Sequence, residues 1–209
     1  MRIVTVEQMK QIERNADESG VSYLQMMENA GTAAYQAIRR QWPEAKRFAI
    51  VAGKGNNGGD GFVIARLAAQ DGLAVSVILA EGQPVTADAK TNYDRLQALS
   101  VTVLLLDEIR ELEADVVVDA LYGTGFHGAL RPSGQKACAC INHSGAHVTA
   151  LDLPSGLQAD TGIAAEGSVK ADLTIAFDSL KQVHVAKQAA AYCGKIIVAD
   201  IGIPERCHP

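Results

Sequence analysis

A three-layer αβα, Rossmann-like fold with a doubly wound, mostly parallel sheet is what the sequence predicts, preceded by two extra helices. Three observations predict it. From Phe48 onward, strand-like runs alternate with segments of helical spacing. Those strands are apolar throughout, as strands covered on both faces are. The first of them, around Phe48, Ile50 and Val51, runs into Gly53-Lys54-Gly55-Asn56-Asn57-Gly58. This is a literal G-x-G-x-x-G in the strand-to-helix setting that the motif requires.

Each element has its own warrant. Thr5-Val6-Glu7-Gln8 is a capping box opening a first helix, with Val6, Met9 and Ile12 on its apolar stripe and Gly20 ending it. Ser22-Tyr23-Leu24-Gln25 reads as a second box, opening a helix to about Trp42, before Pro43. Glu28 and Asn29 in that helix are either solvated or close off a site. Strand 1 and its glycine loop pass into a helix carrying Phe62, Ile64, Ala65, Leu67 and Ala68. Strand 2 spans Ala74 to Ala80, a helix Thr86 to Leu99, strand 3 Val101 to Leu106, and strand 4 Asp115 to Asp119. A helix from Pro132 to Asn142 leads to strand 5, His147 to Leu151. Strand 6 is Asp172 to Phe177 and strand 7 Lys195 to Ala199; Val183 to Tyr192 carries no clear signature. The simplest order places strands 3-2-1-4-5 at the centre, which sets the post-strand loops along one edge.

Composition bounds the function. The 209 residues carry no Pro/Ser-rich linker or charge block, so one domain over 1–209 is expected. A net charge of −5 argues against nucleic acid as the main partner. No apolar run approaches membrane-spanning length and the N-terminus lacks a signal-peptide pattern, so a cytoplasmic protein is the expectation. Cys138, Cys140, Cys193 and Cys207 match no zinc spacing and read as unreactive thiols. Cys207-His208 is expected to fray.

Three loops meet at the predicted edge. The first glycine loop lets bare backbone approach a pyrophosphate at a helix N-terminus. The loop after strand 4 holds a second G-x-G-x-x-G, Gly123-Thr124-Gly125-Phe126-His127-Gly128, across the topological switch point. After strand 5, Leu151-Asp152-Leu153-Pro154-Ser155-Gly156 places Asp152 at a strand end, as a catalytic group or as an Asx turn before Pro154. Asn57, Asp119 and Ser155 could offer oxygens to one site, and oxygen-only ligands suit a hard cation. No G-x-x-x-x-G-K-[ST] and no G-x-S-x-G is present, so P-loop and α/β-hydrolase chemistries are set aside.

Taken together, Gly53 to Gly61, Val118 to Gly125 and Leu151 to Leu157 resemble the signatures of the YjeF N-terminal domain family. Met26-Met27-Glu28-Asn29-Ala30-Gly31 and Asp200-Ile201-Gly202-Ile203-Pro204 are similar to its opening and closing segments. The resemblance covers essentially the whole chain. It implies an NAD(P)H-hydrate epimerase, an isomerase that interconverts the R and S forms of the hydrated cofactors NADHX and NADPHX. By resemblance, Asn56, Asn57, Gly58, Gly59 and Asp60, with Gly123, Thr124, Gly125, Phe126, His127, Gly128 and Ala129, bind the dinucleotide. Asp152 contacts it, and is our choice for acid/base catalysis. Asn57, Asp119 and Ser155 match the family's ligands for one potassium ion (K+) per subunit. A homodimer and coupling to an ADP- or ATP-dependent dehydratase are implied as well. Fused members continue into that dehydratase near Pro209, so a stand-alone epimerase and part of a bifunctional enzyme both stay open. Lys181 resembles a family lysine that either meets a phosphate or caps strand-end carbonyls; Lys54 has the same ambiguity.

Two rivals remain at this stage. One is a non-catalytic scaffold or RNA-binding member of the same family, against which the acidic balance and Asp60, Asp119 and Asp152 argue. The other is an NAD-dependent oxidoreductase, with Glu81 taking a ribose diol.

Overall fold

The computed structural model describes residues 2–209. In chain order its elements are β1 (Ile3–Val4), α1 (Val6–Glu18), α2 (Tyr23–Gln41), β2 (Arg47–Ala52), α3 (Asn56–Gln70), β3 (Ala74–Leu79), α4 (Ala87–Asp94) and β4 (Val101–Leu105). There follow β5 (Val116–Ala120), α5 (Pro132–Asn142), β6 (His147–Leu151), β7 (Leu173–Phe177), β8 (Leu180–Lys181), α6 (Ala190–Cys193) and β9 (Lys195–Ala199). Seven strands form one parallel sheet in the order β4-β3-β2-β5-β6-β7-β9. That is the doubly wound order read from the sequence, with β7 and β9 added beyond it. β1 and β8 pair separately as a two-stranded parallel sheet.

Alternation along the strands sorts the core into two layers. Phe48, Ile50 and Ala52 of β2 face a cluster built with α1, α2, α3 and α4. Ala49 and Val51 face the other side, where α5 contributes Ala137, Cys138 and Ile141. The two N-terminal helices therefore lie on the same side of the sheet as α3. Burial of side chains such as Phe48, Ile50 and Phe62, all at most 1% exposed, is worth roughly 1.5–3 kcal/mol each.

Local signals explain the helix ends. Thr5 Oγ1 accepts from the Gln8 N–H while the Thr5 N–H donates to Gln8 Oε1, so the first capping box is complete. The second is only half formed. Ser22 Oγ accepts from the Gln25 N–H, but the Gln25 side chain turns away to Asn29. The helix expected over Thr86 to Leu99 is shorter, because after Asp94 its bonds tighten to three-residue turns that drive Leu96 into the core. β4 departs from the fully apolar pattern: it is an edge strand, with Val103 and Leu105 exposed. Val183 to Tyr192, unclear in the sequence, resolves into short 3₁₀ turns and the start of α6. Among the described residues no helix is long and apolar enough to cross a membrane.

The tail is docked rather than frayed. Cys207 is buried, its carbonyl accepts from Asn15 Nδ2, and His208 Nε2 sits 3.0 Å from both carboxylate oxygens of Asp178. Cys138 and Cys193 are also buried free thiols, and burial pushes both thiol pKa values up, as inert cysteines require.

The first glycine loop is built by close approach. A Cβ on Gly53 would run into the Leu121 carbonyl oxygen, and one on Gly58 into the carbonyl oxygen of Gly53. Both obstacles are backbone and cannot turn aside. Gly58→Ala is therefore expected to destabilise the fold by about 3 kcal/mol or more, measured as a lower midpoint in urea unfolding; a change within about 0.5 kcal/mol would mean that the loop can open at little cost.

Candidate active site

Parallel strands end together, so the loops after β2, β5 and β6 reach one edge of the sheet. There they border a cleft of about 660 Å³ at the switch point between β2 and β5. Asn56, Asn57 and Asp60 line it from α3; the first N–H groups of α3 have no intrahelical partner and suit an anion. Gly123, Thr124, Gly125, Phe126, His127 and Ala129 line it from the loop after β5, and Asp152 from the end of β6. Gly58 and Gly59 do not border the cleft: they are buried where α3 packs on its neighbours, Gly59 against Met27. Gly128 also lies off the lining, turning the chain at φ +78°.

The two glycine motifs differ physically. The first is packed against backbone, as described. In the second, Gly123 has only ordinary contact with the Asn57 side chain and Gly125 faces open space. Room on this loop is left on the cleft side. Tyr122 and Phe126 stack beside it, ring centroids 5.3 Å apart, and Tyr122 Oη donates to Glu81 Oε1 at 2.7 Å.

Behind the cleft wall lies a buried carboxylate. Asp119 Oδ1 accepts from Ser155 Oγ at 2.6 Å and from the Leu121 N–H at 3.3 Å; Asp119 Oδ2 accepts from the Ser155 N–H at 2.7 Å. The Tyr122 N–H donates to Ser155 Oγ at 2.9 Å. Burial raises the Asp119 pKa to about 6 despite these donors. Among the described residues no Lys, Arg or His side chain forms an ion pair with it. Asn57 reaches the same region across Gly123, and its Nδ2 is buried without a hydrogen-bond partner. A buried carboxylate without a cationic partner, beside a serine hydroxyl and within reach of the Asn57 amide oxygen, fits a hard monovalent cation; the unpartnered Nδ2, a donor, is not one of its ligands. No group of three or more His, Cys, Asp or Glu residues is placed to hold a metal ion among the described residues.

Asp152 is held in a second polar cluster. It has φ +62°, in the left-handed region that non-glycine residues rarely adopt. Its Oδ1 accepts from Lys181 Nζ at 2.6 Å and from the Phe177 N–H at 3.2 Å. Lys181 is 1% exposed and also donates to the Phe177 carbonyl at 2.8 Å. Of the two alternatives read from the sequence for Lys181, capping of a strand-end carbonyl holds at Phe177, and the structure adds an ion pair with Asp152. Asp60 and Glu13 stand nearby in the cleft. Desolvation pushes the Asp60 carboxyl well above the ordinary carboxylate range, and the Asp152 and Glu13 charges add to it. Glu13 is raised in the same way, by burial and then by Asp152. The cleft therefore sets an ion pair beside two carboxyls whose surroundings favour their protonated form.

Sequence reasoning missed the contributions of α1 and α2. Lys10 and Glu13, with Tyr23, Met26 and Met27, line the cleft, and nothing in their helical spacing set them apart from core or surface positions. Glu28 and Asn29 prove structural. Glu28 pairs with Arg66 and Arg95, and Asn29 donates to the Ile201 carbonyl.

A doubly wound sheet with two glycine loops at its switch point and a carboxylate at the next strand end defines an α/β protein of Rossmann-like type, in which ligands bind beyond the carboxyl ends of the strands. The family model described as "YjeF-related protein N-terminus" matches residues 23–183, and the chain belongs to that family. It is 40% identical over 199 residues to the bifunctional NAD(P)H-hydrate repair enzyme Nnr of Coxiella burnetii, an alignment covering 95% of this chain and 41% of that one. It thus spans about two fifths of such bifunctional relatives. With an NAD(P)H-hydrate epimerase of Limosilactobacillus fermentum it shares 34% identity, over 94% of this chain and 95% of that one. The crystal structure of yeast ynu0 superposes with a TM-score of 0.77 at 25% identity, covering 88% of this chain and 84% of that one.

The ion pair yields a stability prediction. Lys181→Met strands the Asp152 carboxylate in a buried site and is expected to cost about 3 kcal/mol or more in denaturant unfolding. Adding Asp152→Asn should recover part of that loss; equal stabilities for the single and double variants would show that the two side chains are not coupled.

Proposed function

We propose that this chain epimerises the R and S forms of NADHX and NADPHX at C6 of the hydrated nicotinamide ring. The observation that carries the reading is the buried Asp152–Lys181 pair opening onto a cleft made from two glycine loops. The name of the Limosilactobacillus relative, matched over nearly its full length, supports it.

The chemistry balances without any oxidant. A proton is delivered to the C6 hydroxyl, the C6–O bond breaks, and water leaves. The N1 lone pair forms the C6=N1 iminium. Water then adds to the opposite face and gives up a proton, so C6 is inverted with no net redox change. Asp152 is the residue we assign to proton transfer at that hydroxyl: a proton passes from the Lys181 ammonium through the Asp152 carboxylate as the C6–O bond breaks, and is returned when water adds. Asp60 and Glu13, whose carboxyls burial shifts toward the protonated form, stand in the same cleft. The N–H groups at the start of α3 and the open loop at Gly123 and Gly125 receive the pyrophosphate.

Asn57, Asp119 and Ser155 are the residues we assign to a potassium ion. Bound there, the ion would supply fixed positive charge beside the Asp119 carboxylate and join the loops that carry its ligands. The reading also takes in a homodimer in the cytoplasm. Coupling to a dehydratase is supported by the relatives named as bifunctional repair enzymes.

Chromatography of purified R-NADHX after incubation with the protein tests the reading. The R and S peaks should redistribute with no loss of cofactor. Net oxidation or reduction would favour an oxidoreductase, and an inert protein that retains RNA would favour the scaffold reading. Asp152→Asn should slow epimerisation by about 100-fold or more; a wild-type rate would remove Asp152 from the mechanism. Potassium should stimulate the wild-type protein, whereas Asp119→Ala should lose activity or its potassium response. An unchanged response would sink the ligand assignment.

A further inference from the structure

The backbone at Asp152 poses a question that its carboxylate does not answer. A non-glycine residue at φ +62° needs its surroundings to hold it there. The Asp152 N–H donates to the Ile175 carbonyl at 2.8 Å, and the side chain is held by Lys181 and by the Phe177 N–H. The remaining backbone group, the Asp152 carbonyl, lies 2.7 Å from His184 Nε2. On the other side of the ring, Nδ1 lies 2.8 Å from the backbone nitrogen of Lys181.

These contacts settle the state of the ring. A backbone N–H can only donate, so Nδ1 accepts. A carbonyl can only accept, so Nε2 carries the hydrogen. His184 is 8% exposed, outside the cleft lining, in a 3₁₀ turn that begins directly after β8. We propose that His184 is a positioning residue of the epimerase site: a neutral imidazole that ties the backbone of Asp152 to the backbone of Lys181, and so keeps the ion pair aimed into the cleft. This rests on the epimerase reading above.

An imidazolium has no acceptor for the Lys181 N–H, so protonation breaks one side of the tie. The charged groups facing the ring are the Asp152 carboxylate, from the end of β6, and the Lys181 ammonium, from β8. Burial, the largest effect, and the Lys181 charge oppose the charged ring; together they outweigh the Asp152 carboxylate and hold the His184 pKa below the ordinary value of 6.5. The sign follows. A histidine whose pKa is lower folded than unfolded stabilises the fold above the unfolded value, and that contribution is lost as pH falls through the folded value. Epimerisation should therefore weaken on the acid side, below the usual histidine range.

The experiment joins two readouts. In nitrogen-15 NMR of the wild-type protein at pH 7, His184 should show an unprotonated Nδ1 and a protonated Nε2. The opposite tautomer, or a charged ring, overturns the proposal whatever the activity. In the R-NADHX assay, His184→Ala should lower kcat by about tenfold or more, the scale set by small misplacements of catalytic groups, with KM changed less than twofold. His184→Gln can still donate to the Asp152 carbonyl and should retain more activity at pH 7 than His184→Ala. Wild-type kcat in His184→Ala, or equal loss in the two variants, overturns the proposal. A wild-type protein inactive on NADHX would instead defeat the epimerase reading, and the NMR result would still stand on its own.

Discussion

The structure depends on how closely two backbones can approach at the end of the sheet. The Gly53 N–H donates to the Ala120 carbonyl at 3.0 Å, and the space where Gly53 would carry a side chain is taken by the carbonyl of Leu121. That contact ends the β2–β5 ladder, whose last pairs set Val51 against Asp119 and Ala52 against Ala120. It thereby places Asp119 under the loop that Ser155 secures through the Tyr122 N–H. It also brings the start of α3 beside Gly123, where the Asn57 amide rests. One steric constraint, met by a residue with no side chain, assembles three loops that are far apart in sequence.

Much of this was legible in the chain. Strands buried on both faces are apolar at most positions, so β2, β5, β6 and β7 stand out against their flanking turns. Their alternation with helical spacing leaves few topologies, and right-handed crossovers then select the observed strand order. The loops at the switch point were legible for the same reason, since strand ends fix where Asp119 and Asp152 emerge. Edge effects were not legible. β4 shares the composition of its neighbours and still exposes Val103 and Leu105, because position in the sheet, not propensity, sets burial.

The partners within the cleft were hidden for a different reason. Lys181 lies 29 residues beyond Asp152 and meets it only because β7 returns beside β6. Periodicity speaks to residues a few places apart on one element and is silent on side chains that converge from several. Glu13 on α1 and His184 beyond β8 are of this kind. The tail misled in the opposite direction: Cys207-His208 was expected to fray, yet both residues have partners, on α1 and at the end of β7. Composition registers how much apolar surface a segment has, not whether a shaped recess awaits it.

The small β1–β8 sheet bears on how the protein is made. Ile3 and Val4 precede every helix and every strand of the large sheet, and their partners Leu180 and Lys181 follow all of its strands but β9. The segment carrying the buried lysine is thus joined to β1 only after β2 to β7 have been made. Until then the strands from β2 to β6 can pair among themselves, while the charged corner of the cleft waits. A nascent domain would acquire its scaffold early and its reactive centre late, in a closing step that brings β1 and β8 together.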